Sequence, residues 1–193
     1  MIEPISQYKV EVAPVFAELI RRLKWVERID EMVSVKPEDC RVSVGMRVKA
    51  LLLNILTDRK ALYRVQRFYE RQDIELLLGP GISADALNDD ALGRALDALA
   101  RTGVDRVFTE LALLALDHCE IPLEHLHFDT TSISVYGAYE DAHELGITYG
   151  YSKDHRPDLK QFIFGLGTCR GLPVFGSIED GNLSDKTWNA KTI

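Results

Sequence analysis

Residues 124–137 read EHLHFDTTSISVYG, and their alternation decides the fold of the second part of the chain. Side chains repeat with a period of two along a strand, so Leu126, Phe128, Thr130 and Ser132 share one face and His125, His127, Asp129 and Thr131 the other. An Asp at such a position, followed by small hydroxyl residues, is costly to bury unless its charge is paired, hydrogen-bonded or bound to a cation. Asp129 is therefore the first candidate for a functional residue, and Mg²⁺, which takes a few carboxylates together with water and phosphate oxygens, is the cation whose chemistry suits it. Downstream, Lys160 to Cys169 and Leu172 to Ile178 read as two more strands, with Arg170-Gly171 as the tight turn of a hairpin. Both are expected to pair antiparallel beside a central strand that carries Asp129.

Upstream of about Ile121-Pro122 the texture is helical. Val15, Leu19, Leu23 and Val26 recur at four- and three-residue spacing, the pattern of a helix facing a core. Lys36-Pro37 breaks the chain, and Val44 to Thr57 is apolar enough beyond Lys49 to predict a central helix. A further helix is expected from Lys60 to Arg71 with Asp58 as its N-cap, then a turn at Leu78-Gly-Pro-Gly. Asn88 starts a helix through Leu92, Leu96 and Leu99 that Gly103 ends, and a last one runs from Val104 to Cys119. The chain thus reads as α+β: residues 1–120 an all-helical domain, residues 121–193 a β-rich one.

Charge is distributed unevenly. The 193 residues hold 23 Lys plus Arg against 30 Asp plus Glu, a net of −7, which argues against nucleic-acid binding by the chain as a whole. Between residues 41 and 71, however, eight cations face only Asp58 and Glu70. On a continuous helix, Lys60, Arg64, Arg67 and Arg71 would fall within a stripe about 60° wide, the form in which a helix meets a phosphate backbone. A solvated outer face would look the same. In the loop Ser152 to Asp158, Asp154 and Asp158 cancel Lys153 and Arg156, so that loop is expected to order the following strand rather than touch DNA.

Composition excludes several classes. With 46% hydrophobic residues the chain is an ordinary globular protein, and a chain of this length buries roughly 70% of its unfolded surface. Cys40, Cys119 and Cys169 are odd in number and form no C-x-x-C pair, so neither a disulfide framework nor a thiolate zinc site is expected. No apolar run approaches the roughly 20 residues of a membrane span, and no secretory signal opens the sequence, so a cytoplasmic protein without a membrane partner is expected. His125, His127 and Asp129 also begin the H-x-H-x-D pattern of zinc metallohydrolases, which in the β-lactamase-like enzymes continues with a His where Thr130 stands here. His143 and His155 lie at no diagnostic spacing.

Three long motifs in order, HFDTTSISVYG (127–137), GYSKDHRPDLKQ (150–161) and GLPVFGSIEDGNLSDK (171–186), closely resemble DDE transposases of bacterial insertion sequences, in the insertion-sequence-1634 group of the insertion-sequence-4 superfamily. NDDALGRALD (88–97) resembles the helical N-terminal domain of the same group. The resemblance implies an RNase H-like catalytic domain of which residues 121–193 supply the opening strands, with Asp129 as the first carboxylate of a metal-binding Asp-Asp-Glu triad. It implies Mg²⁺ or Mn²⁺ as cofactor, the terminal inverted repeats of the element as double-stranded DNA partner, nucleoid association in a bacterium, and leaves self-association open. Asp185 matches a recurring residue of the group but not its second triad carboxylate. By that resemblance the remaining triad members lie beyond Ile193, so the chain corresponds to the front of such an enzyme, truncated or split by a frameshift. It is then expected to hold metal weakly and not to cleave or join DNA by itself. Two rival readings remain: a zinc hydrolase using His125, His127 and Asp129, and a non-catalytic module that binds DNA or protein.

Overall fold

The computed structural model describes residues 8, 11–34, 41–140 and 145–192. The expected break at Lys36-Pro37, Cys40 and His143 lie outside them. The architecture is α+β, and the chain divides into two compact units, Met1–Gly103 and Val104–Ile193.

The first unit is helical: α1 (Ala13–Arg22), α2 (Trp25–Met32), α3 (Val44–Thr57), α4 (Val65–Tyr69), α5 (Ile74–Leu78) and α6 (Asp89–Thr102), with 3₁₀ turns at Leu62–Arg64 and Ala84–Leu87. As the sequence predicts, α3 is central: Ala50 and Leu53 are fully buried and pack with Val65, Tyr69, Leu77 and Leu92 in one core. Its N-terminus is capped twice, by Ser43 Oγ accepting from Met46 N at 3.2 Å and by Asp30 Oδ1 accepting from Gly45 N at 2.6 Å. Such caps satisfy amide groups that the first helical turn leaves without partners. Gly45 is required there because a Cβ would collide with the Val26 carbonyl of α2. The Tyr69 hydroxyl donates to the Ala50 carbonyl at 2.9 Å, and burial pushes its pKa up, so it remains a neutral donor.

Two expectations fail here for identifiable reasons. The chain leaves helical geometry at Lys24, whose φ of 54° is left-handed, so the apolar spacing from Val15 to Val26 spans two helices rather than one. The buried positions of α1 are Ala13, Ala17 and Ile20, while Val15 and Leu19 are exposed. Nor does a helix run from Lys60 to Arg71. Asp58 is the C-cap of α3, not an N-cap, and the buried Asn54 side chain takes both backbone groups of Lys60, donating to its carbonyl at 2.9 Å and accepting from its amide at 3.1 Å. Those two bonds fix an extended corner where helix would otherwise begin. Asp73 then starts α5 by accepting from Leu76 N at 3.0 Å.

The second unit begins with α7 (Val104–His118), which the helical texture of the sequence places in the first domain. It packs instead on the sheet, so the unit boundary falls at Gly103 rather than near Ile121. Leu116 of α7 is buried with Cys169 and Val174. Three strands follow, β1 (Leu126–Val135), β2 (Lys160–Cys169) and β3 (Leu172–Glu179), then α8 (Asp185–Thr192). All pairs are antiparallel in the order β1-β2-β3, with Asp129 opposite Leu166 and Gly165 opposite Ser177. The two-residue turn between β2 and β3 is Arg170-Gly171, with φ of 51° and 82°, a geometry whose twist matches that of paired strands. The central strand is therefore β2. The strand bearing Asp129 is at one edge of the described sheet, because β2 and β3 pair through that short hairpin and β1 joins only β2. Trp188 of α8 lies fully buried against Gly165, and no helix of the described residues is long and apolar enough to cross a membrane.

Candidate functional site

In the helical unit, the loss of a continuous helix does not scatter the four cations. Lys60 is held by Asn54 before the 3₁₀ turn, Arg64 ends that turn, Arg67 belongs to α4 and Arg71 follows it. With Asp58, Phe68 and Gln72 they line one cavity of about 310 Å³. Lys60 Nζ pairs with Asp58 Oδ1 at 3.0 Å, and Arg64 stacks over the Tyr63 ring at 5.2 Å. No ion pair among the described residues involves Arg64, Arg67 or Arg71, so three exposed guanidinium groups keep their donors for a ligand. Gln72 is 9% exposed, and its Oε1 has no hydrogen-bond partner, an unmet group at the rim of a cationic hollow. Phe68 and Gln72 were not singled out by sequence reasoning, since an apolar and an amide residue carry no charge signal. Their spacing from Arg64 and Arg71 gives meaning only once the cavity is seen.

In the sheet unit, Thr130 and Ser132 are buried, whereas Asp129 is not: its side chain is 93% exposed. The expected burial cost therefore does not arise, because the face opposite Phe128 is open to solvent on this edge strand. Asp129 Oδ1 accepts from Thr130 N at 2.8 Å and lies 3.9 Å from Lys153 Nζ. That ammonium also lies 3.5 Å from Asp185 Oδ2, donates to the Thr130 carbonyl, and approaches Thr130 Oγ1 at 3.4 Å. The Thr130 hydroxyl in turn donates to Asp185 Oδ1. Lys153 N donates to Ser132 Oγ at 3.0 Å, which lays its loop along β1. Two carboxylates 56 positions apart in sequence thus share one cation. Arg156, in the same loop, makes a two-pronged pair with Asp158 at 2.7 and 2.9 Å, so that part of the loop is internally neutral.

His125 precedes β1 and His127 lies on it, both exposed. A strand advances about 6.8 Å for every two residues, so His125, His127 and Asp129 share a face without converging on one point. Among the described residues no three His, Cys, Asp or Glu side chains are grouped to hold a metal.

The chain is thus an α+β protein whose helical unit gathers four cations at one cavity and whose sheet unit presents a carboxylate on its first strand. Residues 5–113 match the family model described as a domain of unknown function (DUF4277), and the chain belongs to that family. The matched stretch contains Lys60 to Arg71 and ends before Asp129. No curated protein and no solved structure matches the chain.

Proposed function

We propose that this protein binds duplex DNA as a component of DNA transposition, its helical unit holding the phosphate backbone and its sheet unit contributing Asp129 to a divalent-metal centre of the DDE type. The observation that carries the reading is the convergence of Lys60, Arg64, Arg67 and Arg71 on one cavity in a chain whose net charge is −7. An acidic protein that sets four cations around one concave surface can attract an anion there, and arginine forks suit phosphate oxygens. The motif resemblance around Asp129 supplies the transposition context.

Mg²⁺ or Mn²⁺ suits the donors near Asp129, since the contacts around Lys153 Nζ come from oxygens of Asp129, Thr130 and Asp185, the hard set such ions take. In DDE chemistry the metal supplies activation of the attacking oxygen and stabilisation of the leaving one. This chain's contribution is to present the Asp129 carboxylate to solvent from β1. Cleavage would need carboxylates beyond those the described residues bring to Asp129. A protein of this kind would reside on the bacterial nucleoid.

Fluorescence anisotropy with a labelled duplex of about 30 base pairs tests the reading. The affinity is expected to fall linearly on a log-log plot against salt, with a slope of about −3.6 for four neutralised phosphates. Absence of binding at low salt, or binding insensitive to salt, would rule the reading out.

A further inference from the structure

Lys153 gathers oxygens from the Asp129 and Asp185 carboxylates and from Thr130 around one ammonium. Its ammonium donates to the Thr130 carbonyl and lies 3.4 Å from Thr130 Oγ1, 3.5 Å from Asp185 Oδ2 and 3.9 Å from Asp129 Oδ1. These are oxygen atoms of the type a divalent cation prefers, and they come from two carboxylates, a hydroxyl and a carbonyl. The lysine is anchored at its backbone as well, through the 3.0 Å bond to Ser132 Oγ, and its side chain is only 39% exposed. The Thr130 carbonyl that it engages projects from the edge of β1, where no neighbouring strand is present among the described residues. An edge carbonyl and two carboxylates would otherwise leave concentrated negative charge there.

We propose that Lys153 is an internal counter-ion for the Asp129 site, competing with a divalent cation for the same oxygens and thereby setting how tightly Asp129 holds metal. The inference rests on the proposed metal role of Asp129. With Lys153 in place, one positive charge faces two carboxylates and leaves a residual negative charge. A divalent ion would neutralise both, but it must displace the ammonium from Thr130 and Asp185, and the lysine stem allows that rotation without moving β1. Because Asp129 and Asp185 are solvent-accessible, the competition is screened, and a change of about tenfold in metal affinity is the appropriate scale.

Mn²⁺ titration followed by electron paramagnetic resonance separates the outcomes. Lys153→Gln is expected to bind Mn²⁺ about tenfold more tightly than the wild-type chain, and adding Asp129→Asn to that variant is expected to remove the gain. Equal or weaker Mn²⁺ binding by a folded Lys153→Gln variant would overturn the role of Lys153 while leaving Asp129 as a ligand. No Mn²⁺ binding by either protein would overturn both the metal reading and this inference. A second measurement uses the wild-type chain, so it does not depend on the variant folding. Acetylation of Lys153, read by mass spectrometry, should rise several-fold when Mg²⁺ is added, whereas the exposed Lys186 and Lys191 stay constant; unchanged Lys153 labelling would contradict displacement.

Discussion

Converting Lys60, Arg64, Arg67 and Arg71 together to Gln is expected to weaken duplex binding at least about 100-fold at 50 mM salt and to flatten the salt dependence by up to about 3.6 log-log units. Each side chain that neutralises a phosphate releases counter-ions, and that entropy gain is what the variant forfeits. Gln is shorter but keeps a polar, hydrogen-bonding, uncharged side chain, and the change in salt slope reports the lost charge separately from lost packing. All four residues are exposed, which keeps the cost in stability small. Lys60 is placed by its backbone bonds to Asn54, which the substitution leaves intact, so the shape of the cavity should survive. Anisotropy titrations at several salt concentrations, with circular dichroism as the fold control, provide the measurement. Unchanged affinity and slope would show that the cations are only a solvated surface.

The largest effect on stability is expected at Trp188. Its indole is fully buried, stands edge-on to Phe128 at 6.0 Å between centroids and tilted to Phe175 at 6.5 Å, and donates through Nε1 to the buried Ser177 Oγ at 3.0 Å. Gly165 on the central strand leaves the room that the ring fills, and a Cβ there would lie inside the indole. Trp188→Ala therefore opens a large cavity, leaves Ser177 without its partner, and removes the side chain by which α8 packs on the sheet. A loss of about 3–5 kcal/mol follows, a large share of the stability of a domain of this size. Calorimetry should show the transition of the sheet unit lowered by about 20 °C, taking roughly 4–8 °C for each kcal/mol. Trp188→Phe, which retains most of the volume and loses the hydrogen bond, should cost far less. A shift of only a few degrees for Trp188→Ala would mean that α8 contributes little to holding the sheet.

Features written in local chemistry were legible from the residues alone. The apolar density of Val44 to Thr57 announces a central helix, Asn88 caps α6 by accepting from Ala91 N at 2.9 Å, and Arg170-Gly171 closes the hairpin. Features set by distant partners were not. The alanine face of α1 carries too little hydrophobicity to outweigh Val15 and Leu19 in a periodicity count, yet small residues permit the closer helix approach that buries them. The helix expected from Lys60 fails because Asn54, six positions earlier, captures the Lys60 backbone. The cations nevertheless end at one cavity, a convergence that helical spacing suggested for a different geometric reason. Asp129 was singled out by its position in the strand, but the argument from burial does not apply to an edge strand with an open face. Lys153 falls in a loop whose cancelling charges predict only an ordering role for the next strand; its contacts with Thr130, Asp129 and Asp185 depend on chain folding across more than twenty residues.

The central claim, that the cationic cavity of the helical unit is where DNA lies, is tested most directly by site-specific photo-crosslinking. Tyr63 is 64% exposed and stacks beneath Arg64 beside the cavity, so a benzoyl-phenylalanine at that position stands within reach of a bound phosphate backbone. The same probe at Leu96, 44% exposed on α6 and absent from the cavity lining, serves as the control. Irradiation with a labelled duplex is expected to yield a covalent protein-DNA adduct at residue 63 that high salt abolishes, and none at residue 96. Equal adducts at both positions, or an adduct only at residue 96, would contradict the account.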